Sequence, residues 1–142
     1  MRRDFSISQE LRMTHLSLPN GGWVFSPHGP IDSNTTEQFK NRVQSLLEEK
    51  ERTPDLLLDM SGVKYISSIG LGALIQLLKK SQQSNTAFAL YDPQLAVRRV
   101  LEISKLDFLL VKPEEAGTHG PFSEYVQRKE AQRVPTSPKK NS

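Results

Sequence analysis

Apolar residues recur along this chain with two different periods, and the switches between them outline its elements. Residues 5–18 alternate loosely, with Leu11 and Met13 on one side, as in a strand. Asn20-Gly21-Gly22 is a tight-turn signal, and Trp23-Val24-Phe25 resumes the extended run, which predicts a β-hairpin. Pro27, Gly29 and Pro30 are expected to end it. Asn34-Thr35-Thr36-Glu37 reads as a capping box with Asn34 as the cap. Phe39, Val43, Leu46 and Leu47 follow at helical spacing, so a helix is expected to end near Lys50, with Pro54 closing the loop. Leu56-Leu57-Leu58 is continuously apolar, as in a strand covered on both faces. A second helix is expected to start near Ser68, with Leu71, Leu74, Ile75 and Leu78 on one face. Ala87–Leu90 reads as a strand. Asp92-Pro93 reads as a helix start ahead of the stripe Val97, Val100 and Leu101. Phe108–Val111 reads as a last strand. The expected order is β-β-α-β-α-β-α-β. Alternating strands and helices imply right-handed crossovers and an α/β fold with a largely parallel sheet, which the opening hairpin makes mixed.

The apolar periodicity fades beyond Lys112. Residues 1–112 are therefore expected to form the domain and 113–142 a polar tail, with weak helical periodicity over 122–133 and disorder after it. The 142 residues suit one domain plus such a tail. Net charge is +3, and Lys79-Lys80 and Arg98-Arg99 are isolated doublets, so nothing marks a nucleic-acid face. There is no cysteine, which removes disulfides, thiol catalysis and thiolate metal sites. His15, His28 and His119 stand at no metal-ligand spacing, so no metal and no cofactor are expected. No run approaches the ~20 apolar residues of a membrane span, and no apolar core follows Arg2-Arg3, so insertion into a membrane and a signal peptide are not expected. The chain reads as cytoplasmic.

One junction carries chemistry. Asp59-Met60-Ser61-Gly62-Val63-Lys64-Tyr65-Ile66-Ser67-Ser68-Ile69-Gly70-Leu71-Gly72-Ala73-Leu74 runs from a strand into a helix, with a serine pair at the helix start. Gly70 and Gly72 imitate a dinucleotide fingerprint, but Ile75 stands where the third glycine belongs, and no Gly-Lys-Ser/Thr is present for a P-loop. Asp32, Asp59 and Asp92 have no neighbouring acid–base partner in sequence, so turn or structural roles are expected of them. Ser68 shows no accompanying base or orienting group, so no enzyme activity is expected. A hydroxyl there can cap the first-turn amides, and a phosphoryl group gains from the same amides and the helix dipole. The junction then reads as a phosphorylation switch on a docking surface.

The same stretch resembles the signature of STAS domains, specifically bacterial anti-sigma factor antagonists. Gly29-Pro30-Ile31-Asp32 is similar to the family's segment before its first helix. The resemblance implies a STAS fold, a mixed and mostly parallel four- to five-stranded sheet with helices packed on it. It also implies partner switching. The unphosphorylated protein binds an anti-sigma factor that is a serine kinase of the GHKL type, phosphorylation releases it, and a PP2C-like phosphatase resets it. Alignment on Gly70-Leu71-Gly72 places the acceptor at Ser68, with Ser67 the alternative, and the partner surface around Asp32, Ser67, Ile69, Gly70 and Leu71. Two departures stand out: Ser67 replaces a frequent Asp, and Ile69 replaces a small residue. The other reading within the family is a non-phosphorylated adapter subunit of a lipid-transporting ABC system.

Overall fold

The computed structural model describes residues 11–49, 53–114 and 120–133. Strand β1 (Arg12–Ser17) pairs antiparallel with β2 (Trp23–Ile31) across the Asn20–Gly22 turn. Gly21 takes a positive φ of 95° there, and the Asn20 side chain accepts from the Gly22 amide. β2 does not end at its prolines. Pro30 falls in a register shift between the paired residues Gly29 and Ile31, a place where the ladder tolerates a missing N–H.

That extra length organises the sheet. The first half of β2 pairs in parallel with β3 (Leu56–Asp59), and its second half pairs in parallel with β4 (Val63–Ile66). β3 and β4 thus follow one another along β2, interrupted at Met60–Gly62. β4 is a strand that apolar periodicity does not announce, because its burial runs buried, exposed, exposed, buried and shows no period of two. β5 (Phe88–Tyr91) lies outside β3, also parallel. The result is a mixed, mostly parallel five-stranded sheet. The strand expected over Phe108–Val111 is instead a 3-10 turn, Asp107–Leu109, followed by one bridge from Leu110 to Leu90. A short apolar run does not by itself separate these outcomes.

Helices α1 (Thr36–Leu47), α2 (Ser68–Ser84) and α3 (Leu95–Ile103) share one core with Phe25, Ile31, Leu56, Leu58 and Leu90. Each helix differs from its expected form in a definable way. α1 starts two residues after Asn34, and Asp32, not Asn34, serves its entry. α2 buries Gly70, Ala73, Leu74, Leu77 and Ser81, which leaves Ile75 on the outside. α3 starts at Leu95 because Asp92 takes a left-handed conformation and Gln94 stays extended, so Pro93 precedes the helix. Helix α4 (Ser123–Gln132) forms where helical periodicity was expected. It joins Leu18, Val24, Leu57, Tyr91 and Val111 in a second core, to which Phe122, Tyr125 and Val126 contribute. Alternation along β2 and β3 sends Phe25, Leu56 and Leu58 to one core and Val24 and Leu57 to the other. So α1–α3 cover one face of the sheet and α4 the other. Residues 134–142, expected to be disordered, lie outside the described residues.

Candidate functional site

The site lies where β2 and β4 end together. Ile31 pairs with Ile66, and the Ile31 carbonyl accepts from the Ser67 amide at 2.9 Å. This bond fixes the serine pair next to the turn that opens α1. Ser67 is extended, with φ −88° and ψ 174°, and caps α2: its Oγ accepts from the Gly70 amide at 3.2 Å. Its carbonyl begins the helical ladder by accepting from the Leu71 amide. Ser68 is the first residue of α2. Its side chain is exposed and has no hydrogen-bond partner among the described residues.

Packing explains why α2 begins at this point. A Cβ on Gly70 would lie 2.8 Å from the Ile31 carbonyl oxygen and 2.8 Å from Ile66 Cγ1. Only glycine lets the first turn sit this close to the ends of β2 and β4. Ile69, next to it, points outward and is 55% exposed, while Leu71 is half-buried.

Asp32 frames the other side. Its Oδ1 accepts from the amides of Asn34 at 2.9 Å and Thr35 at 3.2 Å, and its Oδ2 accepts from the Tyr65 hydroxyl at 3.0 Å. Desolvation pushes this carboxyl up, but the bonds from Asn34, Tyr65 and Thr35 together outweigh it and hold its pKa below the usual carboxylate value. The charge in turn raises the Tyr65 phenol through their shared hydrogen bond. Asp32 is thus an anion bridging the β2–α1 turn to β4. Tyr65 was not among the sequence-derived site residues; its place in the signature stretch was the only signal for it.

At the far end of the signature, Asp59 is buried and structural. It accepts from the Ser61 amide and hydroxyl and from the Tyr125 hydroxyl at 2.6 Å. Gln94 on the approach to α3 donates to the Ser61 carbonyl at 2.9 Å. The structure therefore brings Asp32, Ser67, Ser68, Ile69, Gly70 and Leu71 to one corner and ties Asp59 to α4. Among the described residues no helix is long and apolar enough to cross a membrane.

A mixed sheet with helices on both faces, and a strand–helix junction that presents one capped and one free serine, defines the class: small α/β domains built around a hydroxyl-bearing helix start. The chain belongs to the STAS domain family, whose model matches residues 17–118. Among solved structures it is similar to a candidate anti-sigma factor antagonist from Thermotoga maritima. The two are 26% identical over 82% of this chain and 95% of that one, with a TM-score of 0.63. An anti-sigma factor antagonist from Mycobacterium paratuberculosis is 26% identical, covers 70% of this chain and 83% of its own, and has a TM-score of 0.59. The antagonist SpoIIAA in its unphosphorylated form is 14% identical over 87% of this chain and 100% of its own, at a TM-score of 0.65; that likeness speaks to the fold.

Proposed function

We propose that this protein is a cytoplasmic anti-sigma factor antagonist that works by partner switching through Ser68. In the unphosphorylated state its corner formed by Asp32, Ile69 and Leu71 docks an anti-sigma factor that is also a serine kinase of the GHKL type. Ser67 and Gly70 serve the same surface from beneath, by capping α2 and by letting it seat. The kinase transfers the γ-phosphoryl group of ATP to Ser68 Oγ, releasing ADP and the hydroxyl proton. The new group adds about −1.5 to −2 charges beside Ile69 and Asp32, so docking is lost through repulsion and desolvation, without refolding. A PP2C-like phosphatase restores the neutral serine. The protein supplies the surface and the acceptor and performs no catalysis itself.

One observation carries this reading: the two serines have different work. Ser67 is engaged as the helix cap, whereas Ser68 is exposed and, among the described residues, unengaged. Ser68 also stands on the first turn of a helix of 17 residues, where amides and dipole favour a phosphoryl group. The likeness to two anti-sigma factor antagonists at 26% identity supports the choice of partner.

The test is incubation with the cognate kinase and ATP, followed by mass spectrometry. Phosphate is expected on Ser68. Ser68→Asp is expected to weaken kinase binding at least tenfold and Ser68→Ala to leave it unchanged. Phosphate confined to Ser67, or equal binding by both variants, overturns the assignment. A pull-down returning an ABC ATPase or permease and no kinase favours the transport-adapter reading instead.

A further inference from the structure

Gly72 has no structural reason to be glycine. It lies inside α2 with ordinary helical backbone, so no positive φ requires it. Among the described residues, a Cβ built on it meets nothing within 4 Å beyond its chain neighbours and its own helix backbone, in contrast to Gly70 two residues earlier. Within the fold it is only a cost, since glycine in a helix interior is less stable than alanine. It is half-buried at the helix surface, and its large neighbours there point outward. Ser68 lies four residues before it, Ile69 three before and Ile75 three after, all on one stripe of the helix. Ile69 is 55% exposed and Ile75 38% exposed, both large apolar groups left to solvent on either side of the bare position.

We infer that Gly72 is a contact residue for the docked kinase: a backbone segment of the anti-sigma kinase packs directly on α2 there, between Ile69 and Ile75. This rests on the docking role proposed above and deepens it. A main chain approaches a helix most closely where no Cβ intervenes. Gly72 sits one helical turn, about 5.4 Å, from Ser68 on the same face. A phosphoryl group on Ser68 therefore occupies the approach to the seat itself, which links modification to release by direct competition for one stripe. Ile69 and Ile75 supply the apolar walls of the seat. Asp32, held ionised across the corner, calls for a cation on the partner at its rim.

The experiment uses the full chain as wild type, Gly72→Ala and Gly72→Gln, with the cognate anti-sigma kinase as probe in calorimetry without ATP. Thermal melts of each variant alone run beside it. Gly72→Ala is expected to raise Tm by about 3 °C, because the fold gains a helix former where there is room. The same variant is expected to raise Kd at least tenfold, and Gly72→Gln further still. Unchanged Kd in both variants overturns the inference while leaving the switch at Ser68 intact. A fall in Tm for Gly72→Ala also overturns it, since glycine would then serve the fold. No binding by the wild type sinks the functional reading and this inference together.

Discussion

Gly70 and Gly72 are the same residue in the same helix, yet substituting them is expected to move stability in opposite directions. A methyl on Gly70 meets the Ile31 carbonyl oxygen at 2.8 Å, and backbone cannot yield as a flexible side chain would. Gly70→Ala is therefore expected to destabilise by about 1–3 kcal/mol in denaturant titration, the range for overpacking. Ser67→Ala is expected to cost about 1 kcal/mol, the worth of a lost helix cap. Asp32 adds a pH signature. Its folded pKa is depressed, so its contribution is complete above the ordinary value of about 3.9 and is lost as pH falls through the lower folded value. Tyr65→Phe removes one donor to that carboxylate. The stability gap between wild type and Tyr65→Phe is thus expected to be constant near neutral pH and to close in acid, as read by urea midpoints across pH. A gap that persists unchanged into acid would count against the Asp32–Tyr65 bond as its source. At this scale the sequence revealed residue types and spacing, and so Ser68, Asp32 and the glycines. It did not separate a glycine needed by the fold from one facing outward, because that difference lies in what packs against each.

The elements were legible in proportion to how periodic they are. α1 and α2 carry repeated apolar stripes and appear close to where expected, whereas β4 lacks alternation and was invisible until β2 proved long enough to pair with it. The continuous run Leu56–Leu58 announced a strand covered on both faces, but not what covers the second face. That cover is α4 with the residue just before it; the three anchors, Phe122 and then Tyr125 and Val126 on the helix, are too few to announce a core helix. α4 is also fastened by polar groups: Tyr125 to Asp59, Tyr91 to Glu130, and Arg133 to Asp92 at 2.7 Å. Tyr125→Phe leaves the buried Asp59 without one of its donors and is expected to cost about 1–3 kcal/mol. Burial first, and then the bond to Glu130, push the Tyr91 phenol up to about 12, and burial with the bond to Asp59 raises Tyr125 as well. For groups with raised folded pKa, stability is complete below the ordinary value near 10 and is lost as pH climbs through the folded value. Helical circular dichroism is thus expected to fall together with late tyrosinate absorbance between about pH 10 and 12. Helix loss well below pH 10 would exclude these phenols as the cause.

At the scale of the whole molecule, the sheet separates two jobs. The corner bearing Ser68 is built from the ends of β2 and β4 and the start of α2, all backed by the core shared with α1 and α3. Among the described residues, the opposite face is closed by α4 and the Gly120–Phe122 turn that leads into it. Removal of residues 120–142 uncovers Leu18, Val24, Leu57, Tyr91 and Val111 at once. A fully buried large apolar side chain contributes about 1.5–3 kcal/mol, against a total stability of about 5–15 kcal/mol for a domain. Losing Phe122, Tyr125 and Val126 therefore takes a substantial share of the margin, and the bare strip of sheet becomes adhesive. The shortened chain is expected to melt about 10 °C lower or more, to bind a hydrophobic dye and to self-associate in size-exclusion chromatography (about 4.5–9 kcal/mol lost at about 2–8 °C per kcal/mol). Among the described residues, Tyr125 reaches the signature stretch through its bond to Asp59, at the end of that stretch away from Ser68. Measured well below the new Tm, kinase affinity is thus expected to stay within a few fold of wild type. A truncated chain that remains monomeric and equally stable would show that α4 does not close the sheet. One that stays folded but loses kinase binding would show that the Tyr125–Asp59 bond transmits the state of α4 to the switch, which makes affinity at matched folded fraction the decisive reading.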